Sequence, residues 1–299
     1  MKTWMRRTLI AATTLAAVAG AALATGDALA TRKLQRTVDV HVTPVAIPGD
    51  AAAIERGAYL YASRGCADCH GADGAGRTFI DDGSMRVVGP HISPGAGSVT
   101  AAYKAEDWVR TLRHGVKPDG RPLMIMPSED YNRFTDADLG ALVAYLRQMP
   151  ATGGLAAVVQ LPLPVRVLYA LGQVQDAAEK IDHSLPPPQP VPEGATVEHG
   201  RYVAGMCVGC HGAQLSGGRI PGGPPDWPAA ANLTPGSGSA MAAYTDAAGF
   251  VRMMRTGKRS DGSKVAVMPF EALSKMNDND LLGLYAYLQA LPARPAGGR

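Results

Sequence analysis

The chain has 299 residues, a formal net charge of +3 and a hydrophobic fraction of 46%. This length predicts one to three domains, and the sequence contains no basic block of the kind that binds nucleic acid. Gly and Pro are frequent, with 35 and 23 residues, which indicates many loops or domains organised around a bound prosthetic group.

The first 30 residues have the pattern of an export signal. The start is basic, with Lys2, Arg6 and Arg7. An uncharged run of 19 residues then extends from Thr8 to Gly26, and small-residue cleavage sites end at Ala24 and Ala30. Because the run is close to the minimum length for crossing a bilayer, residues 1–30 are either a cleaved signal peptide or a retained N-terminal membrane anchor. Both alternatives place the remainder in the periplasm.

A repeat divides the rest of the chain. Residues 109–150 align with 251–292 at an offset of 142, and the cysteine motifs upstream align at an offset of 141. The sequence therefore predicts two similar domains, residues 49–150 and 195–293. Residues 151–194 between them are rich in Pro and predict a largely extended linker.

Each half has the pattern of a helical domain. In the last helix of the first half, apolar residues recur at i, i+3, i+4 and i+7 from Leu139, after a capping residue at Thr135. No segment alternates clearly enough to predict a strand, so the predicted fold class is all-α. The expected helices lie around Tyr59, over 104–114 and from Thr135, and again around Tyr202, over 245–256 and from Asn277.

Two further matched pairs suggest contacts within each half. Gly57 and Gly200 on the first helices are expected to meet Tyr145 and Tyr287 on the last helices, where only Gly permits a close crossing. Arg113 and Arg255 either bind carboxylates of a prosthetic group or lie on a solvated helix face.

All four cysteines of the chain belong to two copies of one motif, C-x-x-C-H. The copies are Cys66, Cys69 and His70, and Cys207, Cys210 and His211. This spacing attaches c-type haem, because two thiols reach two vinyl groups on one edge of the macrocycle and the next imidazole faces the iron. A Cys₄ zinc site and disulfides are the alternatives, but neither requires the His that follows each pair. The sequence predicts two covalently bound haem c groups, with His70 and His211 as iron ligands.

The second iron ligand must follow later in each half. The first half offers Met124, Met126, Met149, His91 and His114. Only Met126 has an identical residue at the repeat position, Met268, and both precede Pro. We therefore predict Met126 and Met268 as the sixth ligands. A thioether opposite His raises the reduction potential and closes the iron to other ligands, as suits an electron carrier.

These residues resemble the class I cytochrome c family over both halves of the chain. The markers are C-x-x-C-H, a Met-Pro loop and a C-terminal amphipathic helix. The segment 232–235, Asn-Leu-Thr-Pro, is similar to that of exported cytochrome subunits that take electrons from alcohol, aldehyde or sugar-acid dehydrogenases. The segment 91–94, His-Ile-Ser-Pro, departs from it. The resemblance implies two tandem class I cytochrome c domains joined by the Pro-rich linker.

The resemblance also implies a function without catalysis of its own: electron transfer in the periplasm, from a dehydrogenase as donor to an oxidase or soluble cytochrome as acceptor. One alternative is a di-haem enzyme such as a peroxidase, which would need an iron with an open sixth position. Another is a cytochrome module of a terminal oxidase, which usually follows a clear transmembrane segment.

Overall fold

The computed structural model describes residues 3–224 and 226–298. Lys2, part of the predicted basic start, and Pro225, inside the predicted second domain, lie outside the described residues. A long helix, α1 Thr3–Leu34, precedes the N-terminal half. That half contains α2 Ala51–Ser63, α3 Cys66–His70, β1 Arg77–Asp81, β2 Arg86–Gly89, α4 Ala105–His114, α5 Ser128–Tyr131 and α6 Asp136–Gln148, and α2 is its first helix.

The segment between the halves and the C-terminal half contain the remaining elements. The segment 151–194 forms β3 Val158–Gln160, α7 Leu163–Ala170 and α8 Ala177–Lys180. The C-terminal half forms α9 Val197–Val203, α10 Val208–His211, α11 Ala247–Thr256, α12 Phe270–Leu273 and α13 Asp278–Ala290. The predicted helices of both halves are present.

The all-α prediction is wrong, because the chain also forms a small antiparallel sheet. β2 pairs with β1 on one side and with β3 on the other. Strands of five, four and three residues are too short for alternation to be read from sequence, and a bulge between Thr78 and Ile80 interrupts the pattern further. β3 lies in the segment that was predicted to be an extended linker. The extended backbone of this segment therefore pairs with β2.

Matched side-chain caps start the last helix of each half. The Thr135 side chain accepts a hydrogen bond from the backbone N–H of Asp138, at 3.1 Å. The Asn277 side chain accepts the equivalent bond from Asp280, at 2.8 Å. Each cap satisfies an N–H that has no partner within the helix. The predicted starts at Thr135 and Asn277 are therefore confirmed.

The first and last helices of each half cross at a glycine. A Cβ on Gly57 of α2 would lie 2.1 Å from the Ala141 carbonyl oxygen, and one on Gly200 of α9 would lie 1.9 Å from that of Gly283. The Cβ atoms of Tyr145 and Tyr287 are each 2.7 Å from the same positions. No side chain fits at such distances, so the predicted glycine crossings are confirmed.

Arg113 and Arg255 make matching contacts with protein groups, and their binding of carboxylates of a prosthetic group stays a prediction. Arg113 donates to the Phe134 carbonyl at 2.9 Å, and Arg255 donates to that of Ser274 at 2.8 Å. Each also pairs with the first carboxylate of the last helix in its half, Asp136 or Asp278. Both arginines therefore tie the middle helix of their half to the segment that leads into the last helix.

Two tyrosines join the halves in matching ways. The Tyr59 hydroxyl accepts a hydrogen bond from the backbone N–H of Asn277 and donates to Asp280. The Tyr202 hydroxyl accepts from the N–H of Thr135 and donates to Asp138. Each tyrosine thus binds the start of the last helix in the other half, and we call this pair of contacts the tyrosine clasp. The division into domains 49–150 and 195–293 stays a prediction.

A buried ion pair strengthens one side of the clasp. Arg64 and Asp280 are almost wholly buried, and Arg64 Nη2 donates to Asp280 Oδ2 at 2.5 Å. His199 Nε2 lies 2.7 Å from the other carboxylate oxygen. Burial alone would raise the pKa of Asp280, but the Arg64 charge and the bonds from Tyr59 and His199 outweigh it, so the pKa lies below its ordinary value.

Removal of the Asp280 carboxylate should destabilise the protein strongly. Asp280→Ala leaves the Arg64 guanidinium buried without its counter-ion, which costs about 3–5 kcal/mol. We expect this loss in the free energy of unfolding, measured by denaturant titration followed by circular dichroism.

Asp278→Ala provides the matched control on the same helix, because its carboxylate is 78% exposed in its pair with Arg255. It should cost at most about 1 kcal/mol. The Asp280 contribution should be complete above about pH 4, the ordinary carboxyl pKa, and should be lost as the pH falls through the lower folded value. Equal losses in the two variants would contradict the assignment.

Candidate functional site

Both C-x-x-C-H motifs form a short helical turn that directly follows the first helix of their half. The first motif is α3, and Gly65 before it has a left-handed backbone with φ of 81°. The second motif runs from a 3₁₀ turn, Ala204–Cys207, into α10. A helical turn brings the two cysteines, three positions apart, to one face and sets the His beside them.

A backbone carbonyl orients each motif histidine. His70 Nδ1 lies 2.8 Å from the Pro90 oxygen, and His211 Nδ1 lies 2.8 Å from the Ala231 oxygen. Since a carbonyl only accepts, Nδ1 carries the proton and Nε2 keeps its lone pair for a metal. Burial lowers the pKa of His70, which favours the same neutral form.

The four-residue segments after these carbonyls have matching polar contacts. Asn232 Oδ1 accepts from the Thr234 hydroxyl at 2.8 Å, and His91 Nε2 lies 3.1 Å from the Ser93 hydroxyl. The first-half segment 91–94 departs from the Asn-Leu-Thr-Pro pattern in sequence. It nevertheless keeps a side-chain contact between its first and third positions. In both halves this contact helps to fix the loop whose carbonyl orients the motif histidine.

One continuous cavity of about 1130 Å³ contacts both motifs. Its lining is mostly apolar and comes from both halves. All the predicted site residues contact it, namely Cys66, Cys69, His70, Met126, Cys207, Cys210, His211 and Met268.

The two Met-Pro loops have the same backbone. Pro127 has φ and ψ of −80° and 64°, and Pro269 has −79° and 67°. In each loop the residue after Pro donates its N–H to the Met carbonyl, at 2.9 Å in both cases. At Met126 and Met268 the two halves therefore share backbone conformation as well as sequence.

The other candidate ligands of the first half are placed differently. His91 is buried against Ser93, His114 contacts His183, and Met149 belongs to the hydrophobic core. None of these three lines the cavity, whereas Met124 does. In the second half Met241, Met253 and Met254 also line the cavity as members of the core.

The cysteine alternatives do not fit the structure. No disulfide joins the four cysteines, and residues 3–224 and 226–298 contain no group of three or more His, Cys, Asp or Glu side chains that could hold a metal ion. A Cys₄ zinc site is therefore excluded there. Burial raises the pKa of Cys66 and of Cys207 to about 12, so both are neutral thiols.

The chain's own residues fit a haem group in this cavity. Besides thiols and an oriented imidazole in each half, the cavity contacts Trp108, whose indole N–H is buried and has no partner within the described chain. A buried donor of this kind costs free energy unless it is paired. A carboxylate on a molecule filling the cavity would satisfy it, and haem carries two propionates.

A contact between the halves at this site was missed by the sequence analysis. Asp130, on the short helix after the first Met-Pro loop, accepts a hydrogen bond at 3.1 Å from the backbone N–H of Gly209, inside the second motif. Desolvation and the nearby Glu129 raise the pKa of Asp130 to about 7, against the Gly209 bond and Lys180. The acidic residue shortly after Met-Pro was the available signal for this contact. Its partner lies about 80 positions later, so the sequence alone did not identify it.

Comparison with known proteins finds a family model that matches part of the first half. Residues 52–146 match the family described as "Cytochrome C oxidase, cbb3-type, subunit III". The chain is also 27% identical over 276 residues to the fructose dehydrogenase cytochrome subunit of Gluconobacter japonicus, covering 82% of this chain and 54% of that protein.

Two further relatives are of the same kind. The cytochrome c subunit of the quinone alcohol dehydrogenase of Gluconobacter oxydans (strain 621H) is 26% identical over 83% of this chain and 56% of its own length. The gluconate 2-dehydrogenase cytochrome c subunit of Pantoea cypripedii is 25% identical over 82% and 61%. The chain thus spans little more than half the length of these relatives.

The Asp130 contact leads to a pH-dependent prediction. Because its folded pKa lies above the ordinary carboxyl value, Asp130 lowers stability progressively as the pH rises from about 4 to about 7. Asn cannot ionise, and its amide oxygen can still accept from Gly209. Asp130→Asn should therefore raise the free energy of unfolding at about pH 8 by up to about 4 kcal/mol.

The gain should shrink as the pH falls toward about 4 and vanish below about pH 3, where wild-type Asp130 is protonated in both states. Asp136→Asn is the matched control, since this exposed carboxylate pairs with Arg113 and should give no stabilisation that grows with pH. A constant difference between Asp130→Asn and wild type across this pH range would contradict the assigned pKa.

Proposed function

We propose that this chain, which carries a cytochrome c family domain and is homologous to cytochrome subunits of fructose, alcohol and gluconate dehydrogenases, is a di-haem electron-transfer subunit. The cytochrome c family implies covalently bound haem c. We propose two such groups, one for each C-x-x-C-H motif. The chain would work in the periplasm, between a dehydrogenase as donor and an oxidase or soluble cytochrome as acceptor.

The observation that carries this proposal is the duplicated geometry at His70 and His211. Two histidines, each after a cysteine pair, lie 2.8 Å from a loop carbonyl and contact one cavity. Such a carbonyl holds the ring and raises the basicity of Nε2 toward a metal. A single structural motif could arise from packing alone, but two matched copies support two equivalent sites.

We propose Met126 and Met268 as the opposite ligands. Their support is the shared Met-Pro backbone and their position on the cavity. Haem iron, when bound, supplies a one-electron redox couple, and a thioether ligand raises its potential. The protein's residues hold the ligands in place, exclude water with an apolar lining and offer the Trp108 N–H to a carboxylate.

The family match supports a second candidate, a cytochrome module of a terminal oxidase. That match, to a subunit of a cbb3-type oxidase, covers residues 52–146. The dehydrogenase subunits match over most of the chain, 82% for the fructose enzyme. We therefore prefer the dehydrogenase partner.

Two electrons per chain are the expected redox capacity. The purified protein should retain haem on a denaturing gel, take up two one-electron equivalents in a reductive titration and show no steady turnover of peroxide. The native complex should contain a dehydrogenase catalytic subunit.

A matched variant tests the haem count. Replacing Cys66 and Cys69 with Ala should halve the covalent haem and leave one electron equivalent. One haem in the wild type would contradict the two-site proposal, and rapid peroxide turnover would favour an enzyme. Isolation with oxidase subunits alone would favour the second candidate.

Loss of either proposed Met ligand should open one iron. Met126→Ala and Met268→Ala should each remove about half of the near-infrared sulfur-to-iron charge-transfer band, and the double variant should remove all of it if the sites are independent. Each single variant should bind carbon monoxide at one haem and show a lower potential there, because a thioether favours ferrous iron.

Met124→Ala and Met149→Ala are the controls, one on the cavity and one in the core, and both should keep the band. Loss of the band in Met124→Ala, with retention in Met126→Ala, would assign the ligand to the neighbouring residue instead.

A further inference from the structure

The long N-terminal helix has two distinct parts. From Thr3 to Thr25 it is exposed on all sides, whereas from Gly26 onward it packs on α7. A Cβ on Gly26 would lie 2.9 Å from a Val167 methyl group, and Ala30 is fully buried. The change from bare to packed helix therefore occurs within one turn, near Gly26.

Polar contacts hold the packed part against α7. Arg166 pairs with the Asp27 carboxylate, and its Nη2 donates to the Thr31 hydroxyl at 2.7 Å. Lys33 Nζ donates to the Tyr169 carbonyl at 2.9 Å. Cleavage at the site that ends at Ala30 would remove the carboxylate partner of Arg166 and uncover Val167.

A buried network continues this junction beyond the helix. Arg36 binds Asp176 through two hydrogen bonds, at 2.6 and 3.0 Å, and the Tyr169 hydroxyl donates to the same carboxylate at 2.6 Å. Asp176 and Tyr169 are fully buried. The segment that follows the export signal is therefore an integral part of the fold, and these contacts hold it against α7 and α8.

The bare part has the length and composition of a bilayer span. The 18 residues from Thr8 to Thr25 carry no charge, which at about 1.5 Å per residue gives roughly 27 Å, close to the roughly 30 Å of a hydrocarbon core. Leu15 and Val18 project from it into solvent. A bilayer would cover these side chains and end where the packing on α7 begins.

The charges on either side agree with this placement. Arg6 and Arg7 precede the uncharged run, as cytoplasmic flanks do under the positive-inside rule. On the other side, Lys33 and Arg36 are neutralised by Glu179 and Asp176. The helix would therefore place the folded part on the side opposite the cytoplasm.

The base of the helix also borders the shared cavity. Thr31, Leu34 and Gln35 line this cavity together with both cysteine motifs. Beside this base, the α7 side chains Leu163 and Leu168 are exposed. A rigid anchor at this point would hold one mouth of the cavity, and these apolar side chains, next to the lipid headgroups.

We propose that α1 is retained as a membrane anchor, and that its junction with α7 holds the adjoining part of the shared cavity against the bilayer surface. The occupant of the exposed apolar face of α1 and α7 is the lipid bilayer. This inference depends on packing, length and charge, so it stands or falls separately from the electron-transfer proposal.

The first test is the N-terminus of the mature, haem-loaded protein purified from membranes. Intact mass should show a chain that retains the residues before Thr25, and alkaline carbonate should not release it from the membrane. A mature chain that starts directly after Ala24 or Ala30, or release by carbonate, would overturn the anchor.

The second test locates α7. The full chain, in vesicles of phosphatidylethanolamine and phosphatidylglycerol, is photolabelled with a lipid-soluble aryl diazirine and mapped by mass spectrometry. Leu168, which is 43% exposed, should be labelled several-fold more than Leu185, which is 49% exposed and precedes Pro186, whose carbonyl accepts a hydrogen bond from Arg133 of the first half. Equal labelling would overturn the membrane-facing placement.

Asp27→Ala combined with Lys33→Ala tests the junction itself, because together they remove the side-chain contacts of both residues with Arg166, Tyr169 and Glu179. In this variant α1 should remain carbonate-resistant while labelling of Leu168 falls several-fold, and the haem absorbance should be unchanged, which shows that the fold is intact. Undiminished labelling of Leu168 in a folded variant would show that the junction does not set the placement.

Discussion

The close crossing of two helices at a glycine is the constraint on which both halves depend. At Gly57 and at Gly200 the carbonyl of the opposing helix occupies the space that a side chain would need. A Cβ would separate the helices, and the effect would reach both ends of the first helix. Two residues after each glycine comes the tyrosine of the clasp, and the haem motif follows within the next ten positions. The crossing therefore sets the contact between the halves and the position of the cysteines together.

The shared cavity borders the hydrophobic core of each half. The side chains that face it come from both hydrophobic clusters, including Leu142, Phe250 and Leu284. An apolar macrocycle would complete these clusters in the way that large side chains complete an ordinary core. This accounts for the high content of Gly and Pro, since loops around a prosthetic group need tight turns more than they need bulk.

Local patterns predicted the features that depend on neighbouring residues. The motifs, the capped last helices and the Met-Pro loops each involve positions close in sequence, and the repeat provided an independent check on Met126. The pairing of β1 with β2 was missed because these strands are short and a bulge interrupts their alternation. β3 was missed because its partner lies some 70 residues earlier, and pairing at that distance leaves no local periodicity. The same reason hid Asp130, whose carboxylate meets Gly209 only after the halves have come together.

The clasp has the symmetry of a contact between identical partners. Tyr59 binds Asn277 and Asp280, while Tyr202 binds their repeat counterparts, Thr135 and Asp138. An interface in which each side presents the same patch is isologous, the arrangement that a two-fold homodimer forms. A tandem gene duplication of a self-pairing single half would preserve this interface inside one polypeptide, and fusion would then free the two copies to diverge. The segment between the clasp tyrosine and the first motif cysteine is two residues longer in the first half than in the second. Arg64, which forms the buried ion pair with Asp280, lies in this longer segment and marks such a divergence.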